Sequence, residues 1–183
     1  SIKDSNYKVE SRSLFKITIS TNSIKNEYIC ANDIVIDRGK RARTMKANVY
    51  ENKTLVNRYE GDGLIVSTAN GSTAYSLSAG GPIIYPSLDL ITITPICSHS
   101  LSTRTVVLNG KSNIEITFPD KKKSRTLTID GQVDFNIKDN MTINISTAKE
   151  KANFILTKES DYFNKLRNKM GWFISIDDKN NNH

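Results

Sequence analysis

Short apolar runs separated by turn residues dominate this chain, and long amphipathic periods are scarce. Phe15-Lys16-Ile17-Thr18-Ile19 alternates with a period of two, the mark of a half-buried strand. Ile34-Val35-Ile36 is a short run that stops at Arg38-Gly39. Ala47 to Tyr50 and Thr54 to Tyr59 flank Glu51-Asn52-Lys53, a spacing that predicts a hairpin. Leu64 to Val66 is apolar throughout, as a strand covered on both faces would be. Ile91-Thr92-Ile93, Val106-Val107-Leu108, Ile114 to Phe118, Leu127-Thr128-Ile129, Met141 to Ile145 and Phe154-Ile155-Leu156 continue the pattern. Gly131-Gln132 lies beside the end of one of these strands. Two stretches favour helix. One is short and begins near Ser72. The other is Asp161 to Met170, where Phe163, Leu166 and Met170 share a face, Asp161 suits the N-terminus and Gly171 the C-terminal cap. Many strands with so few helices predict a mainly β fold, an antiparallel β-sandwich with one or two short helices. The expected organisation is one domain over residues 1–175 and a polar tail over 176–183.

Composition narrows the class of partner. Lys and Arg number 26 against 19 Asp and Glu, a net charge of +7 that favours anionic ligands such as nucleotides, phosphate esters or nucleic acid. Two basic clusters stand out. Arg38, Lys40, Arg41, Arg43 and Lys46 form one; Lys121, Lys122, Lys123 and Arg125 form the other, which reads as a solvated hairpin tip. No apolar run reaches the ~18 residues of a membrane span, and Ser1 to Glu10 is too polar for a signal peptide, so no membrane association is expected. Cys30 and Cys97 read as two free thiols of a reducing cytoplasm rather than a disulfide.

The stretch GDGLIVSTANGSTAYSLSAGG, Gly61 to Gly81, carries the most chemistry. A strand ends at Asn70-Gly71, a turn pair that tolerates positive φ. A helix then starts among small hydroxyl residues, and helix starts leave N–H groups and a favourable field for anions. Ser72 and Thr73 could cap this helix and also offer hydroxyls to a ligand. The stretch therefore reads either as a cradle for a phosphate or ribose or as an ordinary strand–turn–helix joint, and spacing alone leaves both open. Asp62, between two glycines, could accept from a ribose hydroxyl or a carboxamide, or could pair with its own turn. Asn32-Asp33 sets an amide beside a carboxylate, a pair suited to a sugar diol or to a turn. His99 has no second histidine near it and reads as structural. No HExxH, paired CxxC or Walker A lysine motif is present.

From Asn32 to Pro95 the chain resembles the C-terminal domain of the NAD kinases. The resemblance is carried by NDIVIDRGK, EGDGLIVSTANGSTAYSLSAGGPI, PSLDLITITPICSHSLSTR, IDGQ and the terminal DYFNKLRNKMGW, in order over nearly the whole chain and closest to bacterial members. It implies transfer of the γ-phosphoryl of ATP to the 2′-hydroxyl of the adenosine ribose of NAD, with Mg²⁺ or another divalent cation accompanying ATP. It also implies a homo-oligomer, dimer or tetramer. Matched position by position, Asn32 and Asp33 hold ribose hydroxyls of NAD and Asp62 reads the nicotinamide end. Thr73, Ala74, Tyr75, Ser76, Leu77 and Ser78 wrap the dinucleotide, with Tyr75 against a ring. Arg43 approaches the ligand, often from a neighbouring subunit, and Gln132 contacts NAD with Asp130 orienting it.

Three departures from the family pattern matter. Ala69-Asn70 stands where Pro-Thr is usual, which is expected to loosen the turn. Glu60 replaces a residue that is basic in some members and is expected to weaken attraction for the pyrophosphate. The Gly-Gly-Asp-Gly motif of the family's N-terminal α/β domain, which holds the catalytic aspartate, does not occur in the sequence, and Gly61-Asp62-Gly63 is a different element. The expectation is therefore a NAD-binding domain without a catalytic residue or metal ligand of its own, and nearly inactive alone. Rival readings are a non-catalytic dinucleotide-binding module, a lipid kinase of related fold, and a basic nucleic-acid-binding β protein. The last is disfavoured because no aromatics interleave with the Arg38–Lys46 cluster.

Overall fold

The apolar runs become strands of two six-stranded sheets that share one core. A computed structural model describes residues 7–21, 25–39, 44–120, 124–157 and 161–172. In chain order the first strands are β1 (Tyr7–Ser20), β2 (Lys25–Cys30), β3 (Asp33–Asp37), β4 (Met45–Glu51), β5 (Thr54–Gly61) and β6 (Gly63–Thr68). A 3₁₀ turn, Asn70–Thr73, and the one-turn helix α1 (Tyr75–Ser78) follow. Then come β7 (Leu90–Ile96), β8 (Val106–Asn109), β9 (Ile114–Thr117), β10 (Arg125–Ile129), β11 (Val133–Ile137), β12 (Thr142–Thr157) and α2 (Tyr162–Met170). One sheet has the order β2-β1-β12-β9-β4-β5 and the other β11-β10-β3-β6-β7-β8.

Strand alternation decides what faces the core. Phe15, Ile17 and Ile19 of β1, Met45, Ala47 and Val49 of β4, and Ile114 and Ile116 of β9 point inward from the first sheet. Ile34 and Ile36 of β3, Leu64 and Val66 of β6, Ile91 and Ile93 of β7, and Leu127 and Ile129 of β10 meet them from the second. The opposite set, Asp33, Val35 and Asp37 with Gly63, Ile65 and Ser67, is thereby placed on the outer face of the second sheet. The antiparallel sandwich expected from the run pattern is the observed architecture.

Contacts divide the described chain into two units. The larger, Ser11–Ala152, holds the core cluster. The smaller comprises residues 7–10, 153–157 and 161–172, which carry the two strand ends and α2. In α2 the expected caps are present: Asp161 accepts from the N–H of Phe163 at 2.9 Å, and Gly171 takes the left-handed conformation at φ 64°. Among the described residues no helix is long and apolar enough to cross a membrane.

Local chemistry explains the differences from the sequence reading. The β4–β5 hairpin closes over Asn52 and Lys53, both with positive φ (47° and 72°), the backbone of a two-residue turn whose twist matches its strands. β2 and β11 are additional strands at the edges of their sheets, polar enough to hide their period. Met141 to Ile145 and Phe154 to Leu156 belong largely to one strand, β12, whose exposed Lys149-Glu150-Lys151 breaks the apolar pattern without breaking the strand. Arg125 is not at a solvated tip. It is buried with its guanidinium 4.5 Å from the Phe118 ring centre, and Nη2 donates to the carbonyl of Asp120 at 2.8 Å. Lys121, Lys122 and Lys123 lie outside the described residues.

Candidate functional site

The site is built around a turn that cannot hold itself. Between β2 and β3 the chain bends through Ala31-Asn32 as it passes from the first sheet to the second, leaving consecutive N–H groups with no ladder partner. The carboxylate of Asp130, from the β10–β11 loop, accepts from the N–H of Ala31 (2.8 Å), Asn32 (2.7 Å) and Asp33 (3.3 Å). The Cys30 thiol also donates to it at 3.2 Å. In return the N–H of Asp130 donates to the carbonyl of Asp33 at 2.9 Å. Asp130 takes φ 49° to make this reach, and Gly131 follows at φ 65°. Burial, with the Asp130 charge next, pushes the Cys30 thiol far up, so it is neutral and structural. Cys97 is free and exposed.

Thr68, at the end of β6, grips the same turn from the other side. Its N–H donates to Asn32 O at 2.9 Å and its hydroxyl to Ala31 O at 2.8 Å, while that hydroxyl accepts from the N–H of Gly71 at 3.0 Å. Gly71 packs so closely that a Cβ there would sit 2.0 Å from the Asn32 carbonyl oxygen. The side chains interlock as well: Arg12 Nη1 donates to Asn70 Oδ1 at 2.5 Å, and Asn70 Nδ2 donates to Asn32 Oδ1 at 2.7 Å. At the Ala69-Asn70 departure from Pro-Thr, the amide thus bonds on both sides.

Asp33 is 5% exposed and accepts from the N–H of Tyr75 at 3.3 Å. Burial raises its carboxyl above the usual range; the Tyr75 N–H opposes this, and the Asp130 charge adds to the rise. Tyr75 connects this turn to a groove of about 550 Å³ on the outer face of the second sheet. Thr126, Thr128 and Asp134 line it from one side, Ile96 from another, and Asp37, Arg38, Gly39 and Asp62 at the far end of β3. Asp33 and Asp37 are four residues apart on that strand, roughly 13 Å at strand rise, so the site is elongated. At the far end Asp62 pairs with Arg38 Nε at 3.0 Å, and the Arg38 N–H donates to Asp62 O at 3.0 Å. Gly61 and Gly63 flank it where a Cβ would collide with the carbonyls of Ile96 and Ile36.

The hydroxyl-rich segment divides in two. The Ser72 hydroxyl is buried, accepting from the N–H of Ile84 at 3.1 Å and donating to its carbonyl at 3.3 Å. The Ser76 hydroxyl is buried 3.1 Å from Thr94 Oγ1. These two staple the segment to the sheet; neither Ser72 nor Thr73 caps a helix through its side chain. Thr73 and Leu77 are half-buried, while Ala74, Tyr75 and Ser78 are exposed. Gln132 is exposed in the loop that Asp130 anchors to the Asn32–Asp33 turn. Arg43 lies outside the described residues, as do Lys40 and Arg41. Glu60 pairs with Lys46 at 3.3 Å, which partly offsets its charge. Asp130 grips the turn, a role beyond the orientation of Gln132 that the resemblance implies, and the sequence flags neither Arg12 nor the groove threonines. Arg12 meets its partner 58 positions away, and Thr128 donates to Asp134 across the β10–β11 hairpin at 2.6 Å; no local pattern marks either.

A β-sandwich with an elongated polar groove on one outer sheet face, closed by a turn–helix segment, is the class this geometry defines. The family model described as ATP-NAD kinase C-terminal domain matches residues 31–157. An NAD kinase of Clostridium beijerinckii is 39% identical over 169 residues, covering 92% of this chain and 60% of that protein. The crystal structure of yeast NADH kinase complexed with NADH superposes with a TM-score of 0.82 at 26% identity, covering 92% of this chain and 50% of that one. An NAD kinase from Archaeoglobus fulgidus, in complex with ATP, does so with a TM-score of 0.72 at 25% identity, covering 87% and 61%. The chain belongs to the ATP-NAD kinase C-terminal domain family and spans about three fifths of the length of the curated relatives it matches.

Replacing Asp130 with Asn puts an NH₂ where one carboxylate oxygen accepts. Asp130→Asn is expected to cost about 2 kcal/mol of stability in urea unfolding; an unchanged midpoint would show that the clamp is dispensable. Asp33→Asn is expected to raise the melting temperature at pH 7, because the buried charge is removed. A raised folded-state pKa stabilises fully below the unfolded value and loses that contribution as pH rises through the folded one. The advantage of Asp33→Asn should therefore shrink as pH falls toward about 4, in melting curves at stepped pH.

Proposed function

We propose that this chain is the dinucleotide-binding portion of an ATP-dependent NAD kinase, which makes NADP from NAD. The observation that carries this is the clamped Asn32–Asp33 turn joined through Tyr75 to an elongated groove ending at Asp62. In this reading Asn32 and Asp33 hold ribose hydroxyls and Tyr75 lies against a ring. Asp62, already shared with Arg38, accepts from the nicotinamide carboxamide. Thr73, Ala74, Leu77, Ser78 and Gln132 line the remaining path, and Ser76 acts by holding α1 on the sheet. Arg43 completes the ligand set from outside the described residues.

In the reaction the ribose 2′-oxygen attacks the γ-phosphorus of ATP, the bond to the β–γ bridging oxygen breaks, and ADP leaves with the electron pair. The hydroxyl proton must pass to a base. We assign no such base to this chain, whose sequence lacks the Gly-Gly-Asp-Gly motif. Among the described residues no three His, Cys, Asp or Glu side chains gather to hold a metal ion. A divalent ion would be carried chiefly by the phosphates of ATP. The free thiols Cys30 and Cys97 suit a reducing compartment, and we place the protein in the cytoplasm.

Calorimetry on the 183-residue chain is expected to show NAD binding. A coupled assay should show NADP formation at least about 10²-fold slower than a full-length relative run alongside, because half a site positions substrate poorly. Absence of dinucleotide binding would sink the reading; robust turnover would mean that the base lies in this chain. We also propose a homo-oligomer, dimer or tetramer, supported by exposed Val107 on edge strand β8 and Val133 on edge strand β11. Sedimentation at micromolar concentration should show a species larger than the monomer, and a monomer alone would count against it.

A further inference from the structure

We propose that Arg12 and Asn70 are positioning residues that lock the side-chain amide of Asn32 with its NH₂ group as the free edge, so that the site offers a ligand one donor beside the acceptor carboxylate of Asp33. The inference deepens the proposed function, on which its ligand assignment rests.

Hydrogen-bond chemistry allows only one arrangement here. A guanidinium has donors and no acceptor. Arg12 Nη1 therefore meets the oxygen of the Asn70 amide, at 2.5 Å. That leaves the nitrogen of Asn70 facing Asn32, and a nitrogen that donates must meet the Asn32 oxygen, at 2.7 Å. The Asn32 oxygen is thus committed within the protein. Its Nδ2 has no acceptor among the described residues, and the side chain is half-buried rather than sealed. The backbone beneath it is fixed independently, since Asp130 takes the Asn32 N–H and Thr68 bonds to its carbonyl. The backbone clamp thus sets where the amide stands, and the Arg12–Asn70 relay sets which end it shows.

The orientation matters for recognition. An unrestrained Asn32 amide is nearly symmetric in shape and would show oxygen or nitrogen with similar ease. Two acceptors side by side, Asn32 Oδ1 and an Asp33 carboxylate oxygen, would demand two donors from the ligand. One donor and one acceptor match neighbouring ribose hydroxyls, one accepting while the other donates.

Asn70→Asp reverses the relay with little change of shape. The introduced carboxylate still accepts from Arg12 but cannot donate to Asn32 Oδ1, so the Asn32 amide must turn its nitrogen inward and its oxygen outward. The dissociation constant of NAD for the 183-residue chain should rise about tenfold by calorimetry, with the melting temperature held by the ion pair between Arg12 and the introduced carboxylate. Arg12→Met keeps the aliphatic stem and frees both amides to turn, so about half the molecules show the competent edge and binding weakens about two- to threefold. In an Asn32→Ala background neither variant should add anything, because the relay acts only through Asn32. Equal NAD affinity of wild type and Asn70→Asp would overturn the proposal, as would an Asn70→Asp effect that persists over Asn32→Ala. A second readout needs no ligand. Side-chain amide NMR should show one Asn70 NH₂ proton with slowed exchange, lost in Arg12→Met. If wild type binds no dinucleotide, the functional reading falls while the relay is judged on this signal alone, and exchange unchanged by Arg12→Met overturns it.

Discussion

The Asp130 carboxylate is the interaction on which the rest of the site depends. One side chain satisfies three consecutive backbone N–H groups of the turn between the sheets, and its own N–H returns a bond to the same segment. Unpartnered buried N–H groups cost roughly 1–3 kcal/mol each, so the turn exists in this form because Asp130 is there. The turn then dictates where Asn32 and Asp33 stand, and Asp33 in turn fixes the backbone of Tyr75. A loop between two outer strands of the second sheet thereby controls residues about a hundred positions earlier.

The sandwich supplies the remaining geometry through strand alternation. Every residue that packs the core from β3 or β6 obliges its neighbours to face outward, and one of these, Asp37, lines the groove beside Thr126 and Thr128 of β10. Gly63 on that face admits no side chain, since a Cβ would strike the Ile36 carbonyl. Ser67 pairs its buried hydroxyl with Thr92 across β6 and β7, and Ser76 with Thr94 joins α1 to the sheet. Polar groups satisfied in pairs avoid the penalty of burial while keeping α1 in one place.

Most of the strands are legible in the sequence because apolar periodicity in this chain is strong wherever a strand faces the core, whereas their order within the two sheets is not. β2 and β11 are not, since edge strands show water much of their surface and their period is blurred by Lys25, Glu27, Asp134 and Asn136. Asn32, Asp33, Asp62 and Tyr75 are legible as a constellation, and they stand along one turn and groove. Ser72 reads as a possible ligand-facing cap because a hydroxyl near a helix start looks the same in sequence whether it meets solvent or Ile84. Arg12 is invisible for a different reason. Its role depends on a partner 58 positions away and on which end of an amide that partner presents.

The contact of Gly71 with Asn32 bears on how such a signature is inherited. A Cβ at position 71 would overlap the Asn32 carbonyl oxygen at 2.0 Å, whatever ligand the groove holds or has ceased to hold. The glycine answers to the backbone of a distant segment, so the two segments cannot drift apart independently. A descendant that lost all chemistry but kept this fold would still carry it. The glycine of this signature is therefore a record of architecture, and a lineage's working activity has to be read from the side chains that the architecture leaves free to change.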